Sequence, residues 1–397
     1  MYLWPDELRM TQSIPASRSL RTVGLFAGIG GVERGLQRHG HTTVLLSEID
    51  PAAQVVLRSH FPNSRIVGDI RGLYRLPPCD LVAAGFPCQD LSQCGKTQGI
   101  QGANSSLVQE VFRLVEAAKT RPEWLVLENV PFMLRLDRGR AMTLIASELV
   151  RLGYRWAYRT VDVRAFGIPQ RRLRVVLVAS RSYDPGTVLF ADEALEAPVS
   201  SIANGYGFYW TEGTTGLGWA VDSVPTIKGG SGLGIPSPPA VWIPAERRIV
   251  TVGIRDAERL QGFPAGWTKP ADLYDTRAGT RWRLVGNAVC VPVAGWVGRR
   301  LATPGKVRCP REPLAMPGSP WPRAASGDDQ GIWAVDASTW PVAWQKQRLL
   351  EFLRFPTQPL SVRATAGFLK RAKSSRLTFA AGFLDDLDHH LATMTCA

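Results

Sequence analysis

Cys88 is the first residue in this sequence whose type and setting could do chemistry. It follows a proline in the stretch "AAGFPCQDLS". A free cysteine is most often a small buried hydrophobe, but a thiol can also bind a metal, form a disulfide or act as a nucleophile. The run "WLVLENVPF" places Glu128 at the end of an apolar stretch, where desolvation favours a protonated carboxyl near neutral pH. The run "FGIPQRRLRVVLV" places Gln170, Arg172 and Arg174 at the start of another apolar stretch.

The other cysteines and the histidines narrow these alternatives. The chain has 6 cysteines and 5 histidines, without a C-x-x-C pair. Lacking that spacing, we expect neither a zinc site nor a disulfide framework, and no metal. No histidine lies in the stretches that hold Cys88, Glu128 or the arginines, so those stretches lack the base that a Cys-His protease needs. Packing and nucleophilic chemistry both stay open for Cys88.

The composition favours a polyanionic partner. The chain of 397 residues carries 47 Lys and Arg against 34 Asp and Glu, a formal net charge of +13. Nucleic acid is the first candidate because basic side chains displace counterions from phosphates, although a merely soluble basic protein has the same balance. We find no apolar run of about eighteen residues and no basic-then-apolar leader, so we expect a cytoplasmic protein without a membrane span.

Residues 21–180 alternate short apolar runs with amphipathic ones. The runs "TVGLFA", "TTVLLSEID", "DLVAAGF", "EWLVLENV" and "LRVVLVAS" predict strands. The runs "VERGLQRHG", "PAAQVVLRSHF", "SSLVQEVFRLVEAAK" and "AMTLIASELVRLG" predict helices between them. This alternation indicates an α/β fold with a mostly parallel sheet and helices on both faces.

The turn after the first strand, "LFAGIGGVERGL", suits a bound nucleotide. Its glycines Gly28, Gly30 and Gly31 let the backbone turn tightly and approach a ligand. The fingerprint of a nicotinamide cofactor fails, because Glu33 stands where its third glycine belongs. An adenosine cofactor remains compatible with this turn.

The next two strands end in residues that fit the same ligand. Glu48 and Asp50 close the second strand, where a carboxylate can accept both ribose hydroxyls. Asp69 closes a third strand and can accept from the adenine amine, while Ile70 lines the ring. Because the ends of parallel strands share one edge, these residues predict a single cofactor crevice.

The amino-acid composition changes beyond residue 182. The segment 183–246 is rich in Gly, Pro and Trp and predicts a small loop-rich insert, after which regular patterns return over 247–303. A proline-rich linker is predicted over 304–331 and a helical extension of unknown role over 332–397.

Six ordered stretches, "FAGIGG", "GFPCQ", "ENV", "QRRLR", "RDAERLQGFP" and "GNAV", resemble the motifs of the DNA (cytosine-5)-methyltransferase family. The resemblance implies a Rossmann-like methyltransferase fold, with 1–182 and 247–303 forming the catalytic and cofactor-binding domain and 183–246 the target-recognition insert. It also implies S-adenosyl-L-methionine as the cofactor and double-stranded DNA as the substrate.

The resemblance assigns a role to each reactive group. Cys88 is the nucleophile that adds to carbon 6 of a cytosine flipped out of the duplex, and Pro87 fixes its loop. Protonated Glu128 donates to ring nitrogen 3 and absorbs the charge that the addition builds. Arg172 and Arg174 resemble the motif arginines that hold the carbonyl oxygen of the base and a nearby phosphate. Carbon 5 then takes the sulfonium methyl group, and loss of the carbon 5 proton releases the thiol.

Further residues are carried over to the cofactor and to DNA. The expected cofactor-binding residues are Phe26, Ala27, Gly28, Gly30, Gly31, Glu48, Ile49, Asp50, Asp69, Ile70, Pro87, Leu107, Asn287 and Ala288. The stretch after Cys88 has the composition of a mobile loop that closes over the flipped base. The candidate DNA-binding residues are Gln89, Ser92, Gln93, Lys96, Gln170 and Lys228.

Two parts of the chain depart from the family pattern. The short recognition segment hints at a short or degenerate site, and its Trp210, Trp219 and Trp242 either stack on bases or, as we favour, form a small core. Residues 305–397 lie past the family's usual end, and their run "FLKRAKSSRLTF" either rests on phosphates or forms a solvated helix face.

The sequence-based hypothesis is a DNA (cytosine-5)-methyltransferase of a prokaryotic restriction-modification or anti-phage system. The alternatives are an RNA cytosine-5 methyltransferase and a non-catalytic DNA-binding regulator on the same fold. The presence of Cys88, Glu128 and Arg174 together favours a catalyst. A monomer, with defence-system proteins as candidate partners, is the working hypothesis for assembly.

Overall fold

The computed structural model describes residues 19–86, 107–196, 204–230, 236–314 and 321–396. Several predictions fall outside these described residues, namely those for Pro87, Cys88, Gln89, Ser92, Gln93 and Lys96. Within the described ranges, no helix is long and apolar enough to cross a membrane.

The strands and helices are numbered along the chain. The strands are β1 (Arg21–Leu25), β2 (Thr42–Ser47), β3 (Arg65–Val67), β4 (Leu81–Ala84), β5 (Trp124–Asn129), β6 (Arg155–Asp162), β7 (Gln170–Arg171), β8 (Leu173–Ser180), β9 (Tyr206–Phe208), β10 (Ala220–Val221), β11 (Val224–Pro225), β12 (Ala240–Ile243), β13 (Arg248–Thr251), β14 (Arg311–Pro313), β15 (Ala324–Gly327), β16 (Ile332–Val335) and β17 (Gln358–Pro359). The helices are α1 (Gly31–Gln37), α2 (Pro51–His60), α3 (Leu107–Glu116), α4 (Arg140–Arg151), α5 (Gly186–Leu189), α6 (Ile254–Leu260), α7 (Ala278–Asn287), α8 (Val291–Ala302), α9 (Leu349–Phe352), α10 (Val362–Lys373) and α11 (Phe383–Cys396).

A central sheet of ten strands has the order β14-β16-β15-β6-β8-β5-β4-β1-β2-β3. Its strands β3, β2, β1, β4 and β5 run parallel to one another. Strand β8 is antiparallel to both β5 and β6, and β15, β16 and β14 continue the sheet with antiparallel pairs. The predicted α/β fold with a parallel centre is confirmed, and the antiparallel half is an addition that the sequence analysis did not predict.

Helices cover both faces of the parallel strands. In β4, Leu81 and Ala83 join an apolar cluster with residues of α1 and α8, whereas Val82 and Ala84 join another with residues of α3 and α4. Successive side chains of a strand point to opposite faces, so a strand that is apolar throughout indicates a sheet covered on both sides. The turns that follow the parallel strands are thus built on a sheet that is buried on both faces.

The segment predicted as a linker, 304–331, differs from that expectation. Its β15 pairs with β6 and β16, and its β14 pairs with β16, so it extends the central sheet. The sequence of β15 is "AASG", whose small residues carry none of the β-branched or aromatic signal typical of strands. A side chain on Gly327 would overlap Trp156 of β6, which explains why small residues fit there.

The insert and the C-terminal segment fold together into a second sheet. Its order is β10-β9-β12-β13-β17, so one edge strand comes from the predicted helical extension. Helices α10 and α11 cover one face of this sheet. Phe368 and Phe383 each have their ring centroid 5.1 Å from that of Phe208 in the insert. The extension predicted as a separate helical appendix therefore supplies half of the core of this unit.

Three tryptophans of the insert belong to this core. Trp242 is buried, and its indole N–H donates to the Asp386 carboxylate of α11 at 3.0 Å. Trp210 and Trp219 are half-buried against the same cluster. The packing interpretation favoured from the sequence is confirmed for Trp242, and the other two tryptophans flank it.

Replacing Phe383 with alanine should destabilise the protein strongly. Phe383 has 0% exposure at the centre of this aromatic cluster, so truncation leaves a cavity that costs about 3–5 kcal/mol. Urea unfolding followed by tryptophan fluorescence measures the loss. Leu195→Ala is the control, because its side chain is 89% exposed and should change the free energy of unfolding by less than about 0.5 kcal/mol. Equal, small effects in both variants would contradict a shared core.

Candidate active site and cofactor crevice

One edge of the central sheet collects the predicted reactive residues. The parallel strands β1, β2, β4 and β5 end there, which is where α/β proteins bind ligands. Because β8 is antiparallel to β5, the first residues of β8 lie at the same edge, with Val176 opposite Glu128. The ends of four strands and the start of a fifth therefore surround a single crevice.

Glu48 and the turn after β1 form a cradle with open space beside it. The Glu48 carboxylate accepts from the Gly28 N–H at 2.7 Å and from the Asp50 N–H at 2.8 Å. Gly28 has a φ of 55°, and a Cβ there would meet no atom of the described residues within 4 Å. Each Glu48 oxygen keeps a further acceptor position, which suits the two hydroxyls of a ribose. The residues present therefore fit an adenosine cofactor.

The other glycines of this turn serve packing inside the protein. A Cβ on Gly30, whose φ is 84°, would overlap the ring of Phe61. A Cβ on Gly31 would overlap the carbonyl oxygen of Val289. Both glycines let α1 pack closely against neighbouring segments, and the prediction that their backbone also approaches a ligand stays a prediction.

Two acidic residues predicted at the cofactor have arginine partners. Asp50 caps α2 by accepting from the Ala52 N–H at 3.0 Å and forms an ion pair with Arg283 of α7. Asp69 accepts from the backbone and the guanidinium of Arg71, whose hydrogen bonds hold the pKa of Asp69 below its usual value. The sequence analysis missed both arginines, because no local spacing signals such pairs.

The remaining predicted cofactor residues line or support this edge. Ile49 is 63% exposed and offers apolar surface beside the cradle, whereas Ile70 is buried and supports the edge from within. Phe26, with a φ of 55°, and Ala27, whose N–H donates to the last residue of β2 at 3.0 Å, lead into the glycine turn. Leu107 begins α3 and packs against the adjoining apolar cluster.

Glu33 is a buried carboxyl next to the cradle whose importance the sequence analysis missed. It lies in the first turn of α1, and a Cβ on Gly24 of β1 would overlap its carboxylate. Its Oε2 has no hydrogen-bond partner among the described residues. Burial, with a smaller contribution from the charge of Glu48, raises the pKa of Glu33 to about 7. An acidic residue in a glycine-rich turn is the only sequence signal of this group.

Glu128 and Arg174 form an ion pair at the catalytic end of the edge. Glu128 Oε1 lies 2.9 Å from Arg174 Nε, and both side chains are nearly buried. Burial lowers the pKa of Arg174, and the neighbouring Glu128 carboxylate opposes that shift. A Cβ on Gly85 would stand 3.8 Å from Glu128 Oε2. The pair therefore lies against the end of the segment that leads into "FPC".

Asn129 fixes the backbone beside this pair. Its side-chain amide donates to the Phe86 carbonyl at 3.1 Å, and its Oδ1 accepts from the Val130 N–H at 2.8 Å. Because Asn129 is buried, these bonds form away from competing water. Phe86, which directly precedes Pro87, is thus hydrogen-bonded to the last residue of β5.

Arg172 is buried and binds backbone carbonyls inside the fold rather than facing the crevice. Its guanidinium is buried and donates to the Ala288 carbonyl at 2.8 Å and to the Gly286 carbonyl at 3.4 Å. Burial lowers the pKa of Arg172 to about 9. The prediction that Arg172 holds the base is corrected, since it positions the turn between α7 and α8. In that turn Ala288 is buried and Asn287 is exposed.

The two described DNA-binding candidates have different surroundings. Gln170 has 0% exposure, donates to the Leu260 carbonyl at 2.7 Å and accepts from the Ile227 N–H at 3.1 Å. The predicted DNA contact of Gln170 is corrected, because its whole amide is used inside the fold. Lys228 is partly exposed, pairs with Glu212, and holds its ammonium 3.7 Å from the centroid of the Tyr209 ring.

Cys290 is a buried thiol close to Arg172 and Arg174. It caps α8 and is buried, and burial raises the pKa of its thiol to about 12. A thiol with such a pKa stays protonated at neutral pH and is a poor nucleophile. Proximity to the arginines therefore does not make Cys290 an alternative to Cys88.

The fold and this edge define a Rossmann-like methyltransferase that uses S-adenosyl-L-methionine. Residues 20–200 match the family model described as C-5 cytosine-specific DNA methylase. The chain is 48% identical over 381 residues to the type II methyltransferase M2.BsuMI of Bacillus subtilis (strain 168), an alignment that covers 93% of this chain and 97% of that protein. It is 28% identical over 314 residues to the type II methyltransferase M.MspI of Moraxella sp, covering 72% and 71% of the two chains.

Solved structures support the same fold. The crystal structure of S. pombe Dnmt2 methyltransferase aligns with a TM-score of 0.53 at 17% identity, covering 71% of this chain and 98% of that chain. The chain belongs to the C-5 cytosine-specific DNA methylase family. It is a DNA cytosine-5 methyltransferase, and the cofactor and the substrate class predicted from its motifs are confirmed.

On acidification, the affinity for S-adenosyl-L-methionine should begin to fall at a higher pH than it would if Glu48 had the pKa of an ordinary glutamate. Burial raises the pKa of Glu48, so on acidification a proton competes early with the ribose hydroxyls for its oxygens. Calorimetric titrations over roughly pH 5–8 measure this dependence. Glu48→Gln should bind weakly with a flat pH profile, and Glu246→Gln, at an exposed ion pair, should keep the normal profile. A normal profile in Glu48→Gln would contradict the assignment.

Glu33 should make the protein less stable as the pH rises through about 7. The folded state holds the Glu33 proton more tightly than the unfolded chain, so this stability is complete below pH 4.5 and lost as the pH rises through the folded pKa. The full loss is roughly 3 kcal/mol. Thermal unfolding of Glu33→Gln should show a smaller fall in Tm between mildly acidic and alkaline buffers. An identical fall in both proteins would contradict the assignment.

Proposed function

We propose that this methyltransferase modifies a short site in duplex DNA through a transient bond between Cys88 and the target cytosine, as the modification enzyme of a type II restriction system. The observation that carries the proposal is the Glu128–Arg174 ion pair at the edge where β4 leads towards Cys88. The 48% identity to a type II methyltransferase over 93% of the chain supports the biological setting. Since its substrate is DNA, we place its activity in the cytoplasm.

The chemistry that the proposal assigns to Cys88 is a reversible addition. Its thiolate forms a bond to carbon 6, and the electron pair of the 5,6 double bond moves towards carbon 5 and ring nitrogen 3. S-adenosyl-L-methionine, when bound, supplies the methyl group as an electrophile. A base then takes the carbon 5 proton, the double bond re-forms, and the thiolate leaves carbon 6 as it entered.

Glu128 and Arg174 act together on the charge of the ring. Because Glu128 is paired with Arg174, it must first take up a proton, which then moves to ring nitrogen 3 as the addition pushes electrons there. Arg174, 2.9 Å from Oε1, stabilises the carboxylate that Glu128 becomes. The low exposure of both side chains strengthens this interaction, because little water screens it. Asn129 and Arg172 act as positioning residues that hold the two ends of the crevice.

The cofactor residues divide by what their atoms can still offer. Glu48 offers acceptors to ribose hydroxyls, and Ile49 offers an apolar face. Asp69 accepts from the adenine amine in exchange for one of its hydrogen bonds to Arg71. Asp50, paired with Arg283, fixes the start of α2 and ties it to α7. This division assigns each chemical part of the cofactor to a different strand end.

Replacing Cys88 with serine should abolish methyl transfer while leaving cofactor binding intact. A hydroxyl is far less ionised than a thiol at neutral pH, so the addition to carbon 6 stops. The assay follows tritiated methyl transfer to bacterial DNA and to RNA, and a gel follows the covalent adduct with duplexes that contain 5-fluorocytosine. Cys396→Ser, at an exposed thiol in α11, is the matched control and should keep both signals.

Three outcomes would contradict the proposal. Methyl transfer or adduct formation by the Cys88→Ser variant would exclude the covalent mechanism. Transfer to RNA but not to DNA would favour the RNA methyltransferase alternative. Cofactor binding without transfer to either substrate by the unmodified chain would favour the non-catalytic regulator.

A further inference from the structure

The basic residues of α10 and its C-terminal end divide into two groups. Two of them are used inside the fold. Arg371 donates to the Glu212 carbonyl at 2.9 Å and to the Trp210 carbonyl at 2.8 Å, which ties α10 to the insert. Lys373 pairs with Asp388 of α11 at 2.7 Å, which ties the two helices to each other.

The second group consists of Arg363, Lys370 and Arg376, and we call it the α10 basic face. All three side chains are exposed, and none forms a salt bridge with any residue that the structure describes. Arg363 and Lys370 are seven residues apart, so they lie on the same side of the helix, two turns from each other. Gly367 lies between them and adds no bulk, and the buried Thr365 and Ala372 lie on the opposite side.

This face belongs to a unit that contacts the turn between α7 and α8. The turn that Arg371 holds contains Glu212, and Glu212 pairs with Lys228. The adjoining Gly229 is packed so closely against Gly286 that a Cβ on Gly286 would overlap its backbone. Helix α10 is therefore linked through successive contacts to the turn between α7 and α8, which Arg172 also holds.

The charges around α10 are segregated. The neighbouring helix α11 exposes Asp385 and Asp388, and the nearby Glu212 is neutralised by Lys228. Lys373 faces Asp388, whereas the α10 basic face has no such neighbour in the described residues. An uncompensated positive helix face on a chain of net charge +13 is complementary to a phosphate backbone.

We propose that the α10 basic face binds backbone phosphates of the duplex beside the target site, as a contact that adds affinity without reading sequence. This inference rests on the proposed function, since it takes duplex DNA as the substrate. Phosphate contacts fix the position of a protein on DNA but carry no base identity, so the occupant is the sugar–phosphate backbone. The C-terminal segment thus contributes half of the core and a DNA-binding surface to the unit that it forms with the insert.

The test removes the three charges and measures the salt dependence of binding. The variant Arg363→Gln/Lys370→Gln/Arg376→Gln is titrated onto a random-sequence duplex of roughly 30 base pairs at several KCl concentrations, with fluorescence anisotropy as the readout. Each lost phosphate contact lowers the slope of log Kd against log salt by about 0.9, so the slope should fall by roughly 2–3. The affinity should fall by about tenfold or more at moderate salt.

Lys373→Gln is the matched control, because it removes one exposed charge that α11 already neutralises. Its slope should stay within about 0.5 of that of the unmodified protein. A triple variant with an unchanged slope and an unchanged melting temperature would overturn the inference. An equal change in the Lys373→Gln control would also overturn it, since the effect would then reflect net charge alone.

The outcomes for this inference and for the proposed function can be told apart. The unmodified protein is assayed for methyl transfer to DNA in parallel. If the unmodified protein methylates DNA and the triple variant keeps the full salt slope, the inference fails and the proposed function stands. If the unmodified protein transfers no methyl group to DNA, the proposed function fails, whatever the slope of the variant.

Discussion

The antiparallel pairing of β8 with β5 is the constraint on which the catalytic edge depends. In a sheet that stayed parallel, the residues at the start of β8 would lie at the far edge from the end of β5. The reversal instead puts Val176 opposite Glu128, so Arg174 reaches the same edge as the glutamate. Their 2.9 Å ion pair follows from strand direction and register rather than from nearness in sequence. A slip of β8 by one residue would turn the Arg174 side chain to the face opposite Glu128.

Burial decides which charged groups at this edge can take part in chemistry. The Arg172 guanidinium donates to the carbonyls of Gly286 and Ala288, so it stabilises the turn between α7 and α8. Arg174 instead forms an ion pair with Glu128, which lies beside Gly85. Cys290 is close to the same arginines, yet desolvation outweighs their effect and raises its pKa to about 12. Closeness to an arginine therefore activates a thiol only when the thiol is not itself desolvated.

Local pattern was sufficient to predict the parallel centre of the fold. The run "LRVVLVAS" is the strand Leu173–Ser180, and "PAAQVVLRSHF" contains the helix Pro51–His60, because buried strands and amphipathic helices carry their own periodicity. Strand β15 escaped prediction, since its residues are small and only the bulk of Trp156 opposite makes them suitable.

The candidate site divides in the same way. Strand ends predicted the edge that holds Glu48 and Glu128, because parallel strands share one carboxyl edge. Arg174 reaches the same edge because β8 runs antiparallel to β5. The roles of Arg172 and Gln170 depend on what surrounds them in space. Gln170 and Arg172 are buried and bind backbone groups, whereas Arg174 reaches Glu128 at the edge. No property of the residue type distinguishes an arginine that binds a ligand from one that binds carbonyl groups.

The second sheet and the helices α10 and α11 that cover it show why the C-terminal segment cannot be an independent appendix. The insert provides strands of only two to four residues, and such short strands bury too little apolar surface to be stable alone. One face of its sheet carries Phe208, Trp242 and Ile249, which would be exposed if α10 and α11 were absent. The ion pair of Arg247 with Asp386 at 2.7 Å and the pairing of β13 with β17 fix the orientation of the two parts. A short insert can therefore form a defined surface because the distant end of the chain completes its core.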